Sequence, residues 1–156
     1  KDYGVNKVSE YLVETLKEIE CPALVIPENY VFPKCNIIAY DGSKNSMFAI
    51  KQFAYLFPEL TNNKTIVVYS KEDEKHDIPD QILLEEYAVK HFKDLTIFKN
   101  NADPGSYFNS LFLERKNALL ISGSYGRTGL GSLFHKSFVS ELIQDHAVPV
   151  FICNRG

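Results

Sequence analysis

Neither sign of charge dominates this chain. Its 17 Lys and Arg stand against 20 Asp and Glu, a net of −3, so its electrostatics give no reason to expect a nucleic-acid or anionic-membrane surface. Long apolar runs are missing too: no stretch approaches the roughly 20 residues of a membrane span, and the start lacks the charged-then-apolar pattern of a secretion signal. Cysteine is sparse. Cys21, Cys35 and Cys153 are odd in number, widely spaced and set beside apolar runs, which argues against a disulfide framework or a paired-cysteine metal site and for buried, reduced thiols in a cytoplasmic protein. The chain begins at Lys1 rather than methionine, as expected of a fragment or a processed protein.

What is present reads as one globular domain with an appendage. Of the 156 residues 45% are hydrophobic, enough for one substantial core and too short a chain for two ordinary ones. Extended apolar segments alternate with helical ones. The strands are expected at Asn36–Tyr40, Thr65–Ser70, Leu95–Lys99, Ala118–Ser122 and Val148–Cys153, mostly β-branched or aromatic and apolar on both faces. Helical spacing fills the gaps over Ser46–Phe57, Pro79–Phe92, Pro104–Lys116 and Ser132–His146, with Met47, Ile50, Ala54 and Phe57 along one side of the first. Asp103 before Pro104, and Asp77 before Ile78-Pro79, pair an acceptor side chain with a first-turn proline, and Pro58 ends the first helix. Strands joined by crossover helices imply a parallel sheet with right-handed connections, an open three-layer α/β sandwich of five strands.

The first 35 residues break this rhythm. Val5–Glu20 reads as an amphipathic helix and Pro22–Ile26 as a strand, yet only Pro27–Cys35 separates it from the next strand. A parallel crossover usually takes about a dozen residues or more, so Pro22–Ile26 must pair elsewhere or stand apart. An internal echo indicates where: Val8–Pro27 and Val139–Cys153 both open on Val-Ser-Glu and then place a proline before an apolar strand.

The glycines are concentrated in one place. Gly123, Gly126, Gly129 and Gly131 are four of the chain's eight and follow directly on an apolar strand, the layout of a loop whose main-chain N–H groups approach an anion before a helix begins. Both common phosphate fingerprints fail: Gly126 and Gly131 have Walker spacing but lead into Ser132-Leu133, and Gly129-Leu130-Gly131 begins a dinucleotide pattern that ends at Phe134.

Another spacing fits. Gly123-x-x-Gly126, nine residues, then Lys136-Ser137, together with "NIIAYDGSKNS" at the end of the first strand, "ADPGS" before the third helix and "AVPVFIC" at the close, resembles the universal stress protein family over about residues 36 to 153. The resemblance implies a five-stranded parallel sheet in order 3-2-1-4-5, with ATP or a related adenine nucleotide held over the C-terminal strand ends, where strand order reverses. Carried over by position, Ala39, Tyr40 and Asp41 end the first strand beside ribose and base. Val68 lies by adenine, Gly123 and Gly126 pass ribose and phosphate with Arg127 nearby, and Lys136, Ser137 and Phe138 face phosphates. The family motif has a third glycine where this chain has Lys136; that side chain either blocks the main chain's approach or itself meets a phosphate, helped by Arg127 and His135. The resemblance also implies residues 1–30 as the helix–strand tail of a preceding domain of the same type and 34–154 as the complete domain. In family dimers last strands pair antiparallel, so Pro22–Ile26 is expected against Val150–Cys153, as a homodimer or an intramolecular pseudo-dimer through the last strand. A non-nucleotide-binding interaction module of the same fold is the alternative.

The remaining polar clusters read as structural. Asp73, His76 and Asp77 sit in a mixed-charge run typical of a solvated loop, so no metal site is expected. His91 and His146 lie late in helices, where a cation suits the dipole. Nine tyrosines and eleven phenylalanines are scattered as core rather than gathered as a base-stacking platform. Ser43 and Ser137 lack a nucleophile elbow and an assignable histidine and carboxylate, so no enzyme is expected; slow nucleotide hydrolysis by positioning alone stays open.

Overall fold

A computed structural model describes residues 12, 15–16, 18–70, 77–123 and 148–155. Six strands make one sheet: β1 (Ala23–Val25), β2 (Cys35–Ala39), β3 (Lys64–Ser70), β4 (Asp94–Asn100), β5 (Ala118–Ser122) and β6 (Val150–Ile152), ordered β1-β6-β5-β2-β3-β4. Every neighbouring pair is parallel except β1 with β6, which run antiparallel with Ala23 opposite Ile152 and Val25 opposite Val150. Without β1 this is the expected 3-2-1-4-5 order, and β1 takes the antiparallel place on the last strand. Ala118–Ser122 has the expected bounds, and the other strand boundaries fall within two residues of the expected ones.

Because side chains alternate along each strand, the sheet feeds two separate cores. On one face Ile38, Val67, Ile121 and Phe151 pack under α1 (Lys44–Leu56) and α2 (Gln81–His91) through Ile50, Phe53, Leu84 and Ala88. On the other, Ile37, Ile66, Leu120 and Val150 meet Phe108 and Leu111 of α3 (Pro104–Glu114) and Leu16. Leu12, Thr15, Leu16 and Glu18 are helical, and the Ile19 N–H donates to the Thr15 carbonyl at 2.9 Å. This short helical stretch buries Leu16 beside β1 and β6. Phe151 sits edge-on to buried Phe53 and partly buried Phe57, with ring centroids 5.5 and 5.9 Å away, and full burial, as at Phe53 and Phe151, contributes on the order of 3 kcal/mol per side chain.

The helix starts follow their sequence signals unevenly. Asp103 caps α3 as expected: one carboxylate oxygen accepts from the Ser106 N–H at 2.9 Å and from its hydroxyl at 3.0 Å. The second helix does not start at Pro79 behind Asp77. Its N-cap is Asp80, in the left-handed region at φ 50° and without a side-chain cap, because the Pro79 carbonyl is engaged by Tyr40 and its ring lies against Gly42. Pro58 does end α1, opening a 3-10 turn over Pro58–Asn62.

Two further expectations change. β4 is not covered on both faces: Asp94, Thr96 and Phe98 point outward, exposed, as suits an edge strand, and Phe98 stacks on Tyr107 at 5.7 Å. Cys35 and Cys153 are buried but Cys21 is exposed, since it precedes β1 at the rim of the sheet. The expected helix Ser132–His146 and most of Val5–Glu20 lie outside the described residues.

Candidate functional site

The C-terminal ends of the strands gather several loops at one rim. β2 runs into Tyr40, Asp41 and Gly42, then Ser43 caps α1 by accepting from the Ser46 N–H at 3.1 Å. The Asp41 carboxylate turns back on its own loop, accepting from the Ser43 N–H at 2.9 Å, a short-range closure that suits aspartate in a turn. Gly42 has φ 80°, and a Cβ there would lie 2.6 Å from the Pro79 ring. Only glycine meets both conditions. The Tyr40 hydroxyl donates to the Pro79 carbonyl at 2.8 Å, so the loop after β2 and the segment before α2 are locked together from both sides.

From β5 comes Gly123, whose backbone is seated on the first turn of α1. A Cβ on it would meet the Ser46 Cα at 2.5 Å, with the Ser46 nitrogen and the Asn45 carbonyl carbon closer still. The main chain after β5 and the N-terminus of α1 are therefore in direct contact, at the point between β5 and β2 where strand order reverses. From β6, the Cys153 N–H donates to the Ser122 carbonyl at 3.2 Å and the Arg155 N–H to the Asn45 side chain at 3.2 Å. Three chain segments thus converge on Asn45 and Ser46.

The expected site residues are placed unequally. Asp41 is half-buried at the rim and Gly123 is buried there. Ala39 and Val68 are register partners, both buried on the face of α3, and the Val68 carbonyl accepts from the Tyr40 N–H at 3.0 Å; they form floor rather than rim. Tyr40 points to the opposite core. Burial, with Asp80, Asp41 and Tyr69 adding to it, pushes its phenol up to about 12. Gly126, Arg127, Lys136, Ser137 and Phe138 lie outside the described residues. So do Asp73 and His76; among the described residues no cluster of metal-ligating side chains forms.

Sequence reasoning missed Asn45, Pro79 and Asn154. Asn45 and Pro79 carried no signal beyond a turn and a helix start. Asn154 is 1% exposed, and neither atom of its carboxamide has a hydrogen-bond partner among the described residues; its only signal was a polar residue directly after a fully apolar strand. The described rim carries Asp41, Asp77, Asp80 and Asp103 against Lys44, Lys99 and Arg155. No helix among the described residues is long and apolar enough to cross a membrane.

No family model matches the sequence and no curated protein matches it. Solved structures do. A universal stress protein from Archaeoglobus fulgidus superposes with a TM-score of 0.65 at 17% identity, over 92% of this chain and 53% of that one. This chain has the universal stress protein fold. It spans about half the length of the Archaeoglobus protein. A universal stress protein family member from Burkholderia pseudomallei matches with a TM-score of 0.45 at 14% identity, over 76% of this chain and 94% of that one.

Proposed function

We propose that the chain is a module of the universal stress protein family that binds an adenine nucleotide, ATP or a relative, over the C-terminal ends of β2 and β5. The observation that carries this reading is the seating of Gly123 on Asn45 and Ser46. It brings a glycine-opened loop and a helix N-terminus to the reversal of strand order, where ligands of open α/β sheets collect and where main-chain N–H groups favour an anion. In this reading Asp41 contacts the ribose or base, Ala39 and Val68 supply the floor, and Arg127, Lys136, Ser137 and the Phe138 amide meet the phosphates. The module works in the cytoplasm through occupancy and assembly rather than catalysis, and β1 stands for the last strand of a preceding domain in a pseudo-dimer.

A second reading, an interaction module without nucleotide, draws on the four aspartates of the described rim, which repel a polyphosphate unless cations from the glycine-rich segment offset them. One experiment separates the two. Purified protein is denatured, released small molecules are analysed, and the emptied protein is titrated with ATP. Co-purified nucleotide or saturable binding supports the first reading, and absence of both at millimolar ATP overturns it. Lys136→Gly then fixes the role of that side chain: tighter binding means it obstructs, whereas weaker binding, with a loss that shrinks as salt is added, means it pairs with phosphate.

A further inference from the structure

We infer that Asn154 is a ligand-binding residue of the rim, its carboxamide exchanging hydrogen bonds with a group of the nucleoside that both donates and accepts. This rests on the nucleotide reading above and assigns within it a residue from the chain that follows β6.

Four buried side-chain atoms among the described residues lack a partner: Asn36 Oδ1, Arg115 Nε and both carboxamide atoms of Asn154. Asn36 has an evident structural role, since its Nδ2 donates to the Leu60 carbonyl at 2.7 Å and to Thr65 Oγ1 at 3.0 Å. Arg115 ends α3 at the opposite edge of the sheet. Among the described residues, Asn154 alone has both carboxamide atoms without a partner and lies at the C-terminal rim. A buried amide with nothing to bond costs on the order of 1–3 kcal/mol, and native proteins keep few such groups without a reason.

Its neighbours fix its place. The preceding residue is bonded to the end of β5 through Ser122, and the following one to Asn45 on the first turn of α1. Asn154 is therefore held between the two segments that Gly123 brings together. Strand alternation continued from Val150 and Ile152 puts it on the face shared with Ala39 and Val68, over which the reading above lays the nucleoside. The chemistry of the amide narrows the partner. Nδ2 donates and Oδ1 accepts; phosphate oxygens satisfy only the donor, whereas a ribose hydroxyl or the adenine edge satisfies both.

The test uses the full chain with Asn154→Leu and Asn154→Ala, measuring thermal unfolding without ligand and affinity for ATP, ADP and AMP by titration. Loss of an orphaned amide should leave unfolding unchanged or raise its midpoint, because a polar group with no partner is replaced by an apolar one. Affinity should fall about tenfold, equivalent to about 1.4 kcal/mol, and by the same factor for all three nucleotides, since the contact lies on their common part. Wild-type affinity in both variants overturns the assignment while leaving the nucleotide reading intact. A loss that grows with the number of phosphates, or a fall in the unfolding midpoint of both variants without a change in affinity, also overturns it. A wild-type protein that binds none of the three removes the nucleotide reading and this assignment together.

Discussion

Gly123→Ala puts a methyl group in place of a hydrogen where the fold has no room for it. The new Cβ would lie 2.5 Å from the Ser46 Cα and nearer to the Asn45 carbonyl carbon and the Ser46 nitrogen, all backbone atoms of a helix turn. A flexible side chain would swing aside at small cost; the first turn of α1 cannot, because Ser43 caps it and Ala49, Ile50 and Phe53 bury it. Overpacking typically costs about 1–3 kcal/mol, and a clash with three backbone atoms of Asn45 and Ser46 puts this case near the top, about 3 kcal/mol. For a domain of this length that lowers Tm by about 6–12 °C. The companion substitution is Gly105→Ala in α3, where the added Cβ meets only the Asp103 carboxylate at 3.4 Å; relief of glycine's helix penalty should leave stability unchanged or raise it by about 0.5 kcal/mol. Circular-dichroism melts of both variants decide the matter. A drop of less than about 2 °C for Gly123→Ala, or equal drops for the two, would refute the close approach and with it the joining of the two loops.

Tyr40→Phe removes the hydroxyl that satisfies the Pro79 carbonyl and should cost about 1–2 kcal/mol in urea unfolding at neutral pH. The folded-state phenol is pushed up to about 12 from 10, so its contribution is whole below pH 10 and is lost as pH rises from there through about 12; wild type should therefore lose stability over that window faster than Tyr40→Phe, and parallel declines would contradict the lock. Asp103→Ala should destabilise by about 1 kcal/mol through loss of its cap, whereas Asp80→Gly, at a left-handed position without a side-chain cap, should be neutral or stabilising by a few tenths of a kcal/mol; equal costs would refute the different roles given to the two aspartates. Val25→Asp puts a charge against the core under β1 and should speed hydrogen exchange at the Val150 and Ile152 amides, which alternate away from β5; unchanged exchange would mean that β1 does not hold the edge of β6.

The parallel sheet was legible because its causes are local: five β-branched, apolar runs with helical spacers of the right length admit few arrangements, and the nine residues after Ile26, too few for a parallel crossover, set β1 apart from β2. The order of the strands and the antiparallel place of β1 on the last strand came instead from the family resemblance. Helix boundaries were legible where the cap acts alone, as at Asp103. At Asp77 the sequence offered the same signal, but a contact from another part of the chain prevailed: Tyr40 takes the Pro79 carbonyl, Gly42 takes its ring, and the helix begins two residues later than its proline. The exposure of β4 depended on its being at the edge of the sheet, a property of order rather than of composition.

Asn45, Pro79 and Asn154 were illegible for a related reason, and they bear on where a ligand would sit. At the N-terminal edge of the sheet polar groups tie structure to structure, although Asn36 Oδ1 and Arg115 Nε stay unpartnered among the described residues: Asn36 joins β2 to the 3-10 turn and β3, Asn63 Nδ2 donates to the Pro33 carbonyl at 3.0 Å, and the Lys93 N–H donates to the Thr61 carbonyl at 3.2 Å. At the C-terminal rim the backbone is equally constrained, by Gly42, Gly123 and the Asn45 contact, yet Asn154 is buried there with neither carboxamide atom bonded among the described residues. A rim that existed only to close the fold would have no use for that amide, since a leucine of similar volume would be the more stable choice. Rigid backbone around an unsatisfied polar group is the arrangement expected where part of the hydrogen bonding arrives with a ligand.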